Sequence, residues 1–114
     1  MKIYHNPRCR KSREGVQYLT DKKLNFEILY YLKEGVSEDD IKSILKKLNM
    51  SAIELVRKNE KIWKDNYKDK VLNEKEILDV MIKNPKLIER PIIISNEISL
   101  IGRPIENVKK TFQL

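Results

Sequence analysis

A small α/β domain is what this sequence predicts, on three observations. β-rich runs cluster near the two ends of the chain, helical periodicity fills its middle, and the order of elements reads β-α-β, then helices, then β-β-α. At 114 residues the chain fits one domain, and 40% apolar content is ordinary for a protein with a single core.

The elements follow in order. "KIY" at residues 2–4 reads as a short strand, broken by Asn6 and Pro7. A helix is predicted from Arg10 to Asp21, with Val16 and Leu19 on its apolar side. "NFEILYYL" at 25–32 is rich in β-formers and predicts a second strand. A strand, a helix and a strand in succession predict a parallel pair with a crossover helix. Ser37 is a good N-cap for the next helix, with acids in its first turn and Ile41, Ile44, Leu45 and Leu48 at helical spacing. "SAIELVRKN" predicts a short helix from Ser51, and "NEKEILDVMIKNP" one capped by Asn73 and stopped at Pro85. "RPIIIS" and "EISLIG" predict an antiparallel hairpin around Asn96, and Pro104 marks the start of a last helix.

Charge narrows the partners. The chain holds 24 Lys plus Arg against 17 Asp plus Glu, a net charge of +7 that attracts anions. The lysines are scattered and interleaved with acids, and aromatics are few, so a solvated helical surface fits better than a nucleic-acid groove. No apolar run approaches the ~20 residues of a membrane span. "MKIYHNPRC" lacks the apolar core of a signal peptide, and one cysteine cannot staple a fold, so a reduced, cytoplasmic setting is expected.

The chemistry centres on "YHNPRCRKSRE", which holds the sole cysteine, Cys9, and the sole histidine, His5. A lone cysteine is ordinarily a small buried hydrophobe, but flanking arginines oppose that role here. Thiolate is the reactive form, and a free thiol with pKa near ~8.5 is mostly protonated at neutral pH. A helix N-terminus at Cys9, the cations Arg8, Arg10, Lys11 and Arg13, and an approach of His5 would each favour ionisation. The Ser12 hydroxyl is placed to donate to the sulfur as at an N-cap. A phosphatase loop needs Arg five residues beyond the cysteine's neighbour, where Gly15 stands, and a dithiol motif needs cysteine where Ser12 stands. A monothiol Cys-x-x-Ser remains.

"IYHNPRCRKSRE", "LVRKNE", "LIERPIII" and "LIGRPIENV", running from Ile3 to Val108, resemble the signature blocks of the arsenate reductase (ArsC/Spx) family, in its glutaredoxin-dependent class. The resemblance implies a thioredoxin-like fold: a mixed four-stranded sheet in one domain over 1–114, with a helical insertion at about 33–86. It implies that Cys9 attacks arsenate, that Arg57, Arg90 and Arg103 bind the oxyanion, that His5 helps keep the thiol ionised, and that Ser12 is the serine of the motif. Arginine forks match tetrahedral anions with bidentate hydrogen bonds. Arg90 and Arg103 each precede a proline and flank the predicted hairpin, so both are expected to face Cys9 from one end of the sheet. A cis Arg90–Pro91 bond is also implied.

No bound cofactor is expected. The resemblance implies an external thiol such as glutathione as reductant, and a glutaredoxin-type protein to restore Cys9. Apart from a general anion-binding protein with no chemistry, two alternatives stand beside it. One is a thiol transferase or reductase acting on another anionic or disulfide substrate. The other is an Spx-like regulator that binds the α subunit of RNA polymerase, although Ser12 removes the Cys-x-x-Cys switch many of those carry.

Overall fold

Strand β1 (Lys2–Tyr4) has a neighbour on each side, parallel β2 (Glu27–Leu29) and antiparallel β3 (Ile92–Ile94), and β4 (Ser99–Ile101) completes the sheet against β3. The computed structural model describes residues 1–95 and 99–112. The order β2-β1-β3-β4 makes a mixed four-stranded sheet of the thioredoxin-like kind. Asn96, the expected centre of the hairpin turn, lies outside the described residues. The chain groups into two compact units, one from 1–34 with 90–114 and one from 35–89.

The first unit holds the sheet. Its core forms where alternating strand residues meet two helices, α1 (Arg10–Asp21) and α7 (Ile105–Thr111): Ile3, Leu19, Ile93 and Val108 are all fully buried. Register explains the choice, since Ile3 pairs with Ile28 on one side and Ile93 on the other, so these side chains share one face. Tyr18 ties α1 to the chain end by donating from its hydroxyl to the Phe112 carbonyl at 3.1 Å.

Pro91 is fully buried, and its ring is met from two sides by glycine. A Cβ at Gly15 on α1 would stand 3.0 Å from Pro91 Cγ, and one at Gly102 would stand 2.9 Å from the same atom and 3.1 Å from Val108 Cγ2. Both Arg90–Pro91 and Arg103–Pro104 are cis; the second was not expected from the sequence.

The predicted second strand is shorter than the run at 25–32. The ladder stops at Leu29 opposite Tyr4, because β1 has no further residues to offer once Asn6 and Pro7 break it. The chain turns instead into α2 (Tyr31–Glu34), whose Lys33 and Glu34 amides donate to the Tyr30 carbonyl.

The second unit is helical. Helix α3 (Glu38–Leu48) opens with a capping box between Ser37 and Asp40 and closes at Asn49 in the left-handed conformation. Helix α4 (Ala52–Leu55) ends where Val56 turns extended and bridges to Ile88. Helix α5 (Lys61–Asn66) was not read from the sequence, since its short span offers too little periodicity. Helix α6 (Glu74–Lys83) has the expected Asn73 cap, a capping box with Glu76, and is followed by a 3-10 turn at Pro85–Leu87. Ile41, Leu55 and Met81 are fully buried in this unit. Among the described residues, no helix is long and apolar enough to cross a membrane.

The Pro91 contact generates a prediction. Gly102→Ala forces a methyl group against two buried side chains and costs about 1–3 kcal/mol, as overpacking does. Thermal denaturation should show Tm falling by several degrees, and an unchanged Tm would show that this corner has room to spare.

Candidate active site

The loop between β1 and α1 is organised by Asn6, which is 6% exposed. Its carbonyl accepts the Cys9 amide at 3.0 Å, its Oδ1 accepts the Arg8 amide at 3.0 Å, and its own amide donates to Ser12 Oγ at 3.0 Å. Pro7 contributes a carbonyl that accepts from Arg13 Nη1 at 2.9 Å. These bonds set Cys9 as the N-cap of α1, with extended backbone. Asn6 was missed as a site residue; the Asn-Pro dipeptide that signals a turn was the only cue.

The Ser12 hydroxyl does not follow the expectation of donating to the sulfur. It lies fully buried against His5, with Oγ 2.7 Å from Nδ1. Because Oγ already accepts from the Asn6 amide, its single proton is free to go to Nδ1. The second lone pair of Oγ equally lets it accept from a protonated Nδ1, so the contact fits either tautomer of the neutral imidazole. Burial, and then the charge of Arg13, lower the His5 pKa and favour that neutral form. His5 is also held by its amide, which donates to Leu29, and by Tyr30, whose ring centroid lies 5.9 Å away. It touches the thiol's surroundings through Ser12.

Cys9 is half-buried and reduced. Burial is the largest single influence and pushes its pKa up. The Ser12 amide, the Arg90 guanidinium and the Lys11 amide together outweigh burial and bring the thiol below its ordinary value. No regular cap hydrogen bond forms from the side chain, so the amides act on the sulfur through their dipoles at the helix start. The cations beside Cys9 in sequence play less part than expected. Arg10 is exposed and paired with Glu14 at 3.3 Å, and Arg13 is turned to Pro7.

The guanidinium groups that matter arrive from the hairpin. Arg90 precedes β3 and is 7% exposed, while Arg103 follows β4 and brings Nη1 to 4.0 Å from Cys9 Sγ. That distance is the outer limit of a sulfur hydrogen bond, and Arg90 exerts the stronger pull on the thiol. His5, Cys9, Ser12, Arg90 and Arg103 thus come together in the sheet unit.

Arg57 belongs to the helical unit. Its amide donates to the Leu87 carbonyl at 2.7 Å, and its Nε stands 3.5 Å from Glu89 and 3.9 Å from Glu60 carboxylate oxygens. Nε and Nη1 are buried and make no hydrogen bond among the described residues.

Sequence and structure comparisons place the chain among known proteins. The model of the ArsC family matches residues 4–111. The uncharacterized protein YfgD of Escherichia coli (strain K12) is 43% identical over 95% of this chain and 92% of its own. An arsenate reductase of Haemophilus influenzae is 36% identical over 93% of each chain. The solved structure of an arsenate reductase from Vibrio cholerae superposes with a TM-score of 0.88 at 33% identity, covering 96% of this chain and 97% of that one.

Two measurements follow from the site. The rate of Cys9 alkylation against pH should have its midpoint below the ~8.5 of a free thiol, and Arg90→Met should raise it. A midpoint at or above the free value would remove the thiolate from this account. His5, followed by NMR, should titrate below the ordinary 6.5. Between that lowered value and 6.5 the folded chain binds fewer protons at His5 than the unfolded one. The stability His5 contributes is therefore present above 6.5 and lost as pH falls towards its folded value, a loss that His5→Asn should remove.

Proposed function

This chain belongs to the ArsC family, and from that premise we propose that it is a thiol-dependent arsenate reductase whose nucleophile is Cys9. The observation that carries the reading is the convergence of Arg90, just before β3, and Arg103, just after β4, on a thiol at a helix N-terminus. A tetrahedral oxyanion suits such a place. Amide N–H groups and the helix dipole favour negative charge, and guanidinium forks grip paired oxygens.

The chemistry runs in two stages. Arg90 and Arg103 bind arsenate beside the thiolate. Cys9 Sγ attacks arsenic, an As–S bond forms, and one As–O bond breaks as its oxygen leaves as water with protons from solvent. The arginines offset the charge that gathers on the remaining oxygens. An external thiol, of which glutathione is the model, then attacks Sγ. The new S–S bond forms as the As–S bond breaks, and arsenic keeps the electron pair. Arsenate has become arsenite, and two thiols have become one mixed disulfide. A glutaredoxin-type protein restores Cys9 by thiol–disulfide exchange.

The external thiol is required by composition. Cys9 is the chain's sole cysteine, so no resolving thiol exists within it. His5 and Ser12 act as positioning residues, holding the loop and keeping the Ser12 amide on the sulfur.

Pre-reduced protein mixed with arsenate alone should form the adduct and stop, with steady arsenite release only after glutathione and glutaredoxin are added. Cys9→Ser should abolish both, and Arg103→Met should raise KM for arsenate more than it lowers kcat. Continuous arsenite release without an added thiol would overturn the mechanism. Failure of every thiol donor, with Cys9 still rapidly alkylated, would overturn arsenate as substrate.

A further inference from the structure

The helical unit carries a groove of about 630 Å³ that the arsenate chemistry does not use. Its floor is apolar, made by Ile53, Trp63, Leu72 and Ile77. Its rim is cationic, made by Lys58, Lys64, Lys68 and Lys70. No aspartate or glutamate lines it. Lys58, Lys64 and Lys68 form no ion pair among the described residues, although acids are frequent elsewhere on this unit and Lys75 pairs with both Glu38 and Asp79. At the edge of the groove Val71 is fully exposed, one of two large apolar side chains in the described chain that face water.

An apolar floor inside a rim of like charges with no carboxylate among them is an unfavourable arrangement for a bare surface. The lysines repel one another and the floor stays wet. A ligand with the opposite pattern relieves both. We propose that this groove docks an acidic amphipathic segment of a partner protein, with apolar side chains on the floor and carboxylates against the lysines.

Peptide chemistry is favoured over the other anionic ligands by two features. A small anionic amphiphile carries one head group and would leave most of the four rim lysines unmatched, whereas a segment with several carboxylates meets them together. Nucleic acid would set phosphates against the lysines but offers no aliphatic side chains to cover Ile53, Leu72 and Ile77. The inference stands independently of the reaction at Cys9.

Trp63 is the chain's sole tryptophan, so its fluorescence reports on the groove alone. The probe is a helical peptide of leucine and glutamate, with leucines at i, i+3, i+4 and i+7. Titration into the full chain should shift the emission saturably, and added salt should weaken the effect. The double variant Lys64→Glu with Lys68→Glu, which changes surface charge and leaves the floor intact, should weaken binding by about tenfold or more. A peptide with lysine in place of glutamate should not bind. The proposal is overturned if no saturable change occurs, if the lysine peptide binds equally, or if the double variant binds as before. It is also overturned if dodecanoate or phosphatidylglycerol vesicles shift the emission and the acidic peptide does not.

Discussion

Pro91 lies buried against Gly15 and Gly102, and the rest of the sheet unit is arranged by how closely those backbones approach its ring. Gly15 brings helix α1 against the start of β3, and Gly102 brings the end of β4 to the same point. Val108, within reach of Gly102, joins the last helix to the cluster. The reacting groups hang on the flanks of this contact. Cys9 heads the helix that contains Gly15, Arg90 immediately precedes Pro91, and Arg103 immediately follows Gly102. A packing contact between a ring and two missing side chains therefore places a thiol and two guanidinium groups that are distant in sequence.

The electrostatics rest on that placement. Half-burial alone would raise the Cys9 pKa, and the groups that bring it below the ordinary value are two helix-start amides and an arginine held by the sheet. Neither depends on the exposed cations around the cysteine, whose charge water screens. His5 contributes as a neutral, buried ring that orients Ser12, so its value lies in geometry more than in charge.

Much of this was legible in the residues. The caps of α3 and α6 were plain because Ser37 and Asn73 each precede acids and then apolar residues at helical spacing. Cys9 stood out at a helix start among cations, whereas Arg90 and Arg103 were singled out by the resemblance of their blocks to the family's, their prolines adding only an extended backbone. What stayed hidden depends on partners distant along the chain. The strand at 25–32 could not reveal that it stops at Leu29, since the limit is set by the length of β1. The Ser12 hydroxyl could not reveal that it prefers His5, since that choice depends on Asn6 occupying it from the other side. The lysine-rimmed groove gathers residues from Ile53 to Ile77, and in sequence its lysines look like any solvated helical face.

A lowered thiol pKa has a further meaning once Cys9 is bonded to something. The donors that favour the free thiolate favour it equally as a departing group, so a disulfide cleaved with its electron pair going to Sγ releases Cys9 more readily than an ordinary cysteine. Nucleophilic strength falls with basicity, but only by about half as much on a logarithmic scale. The arrangement therefore trades some speed of attack for ease of release. A disulfide through Cys9 is accordingly easier to reduce than one through an unperturbed thiol, because the departing thiolate is the form these donors favour.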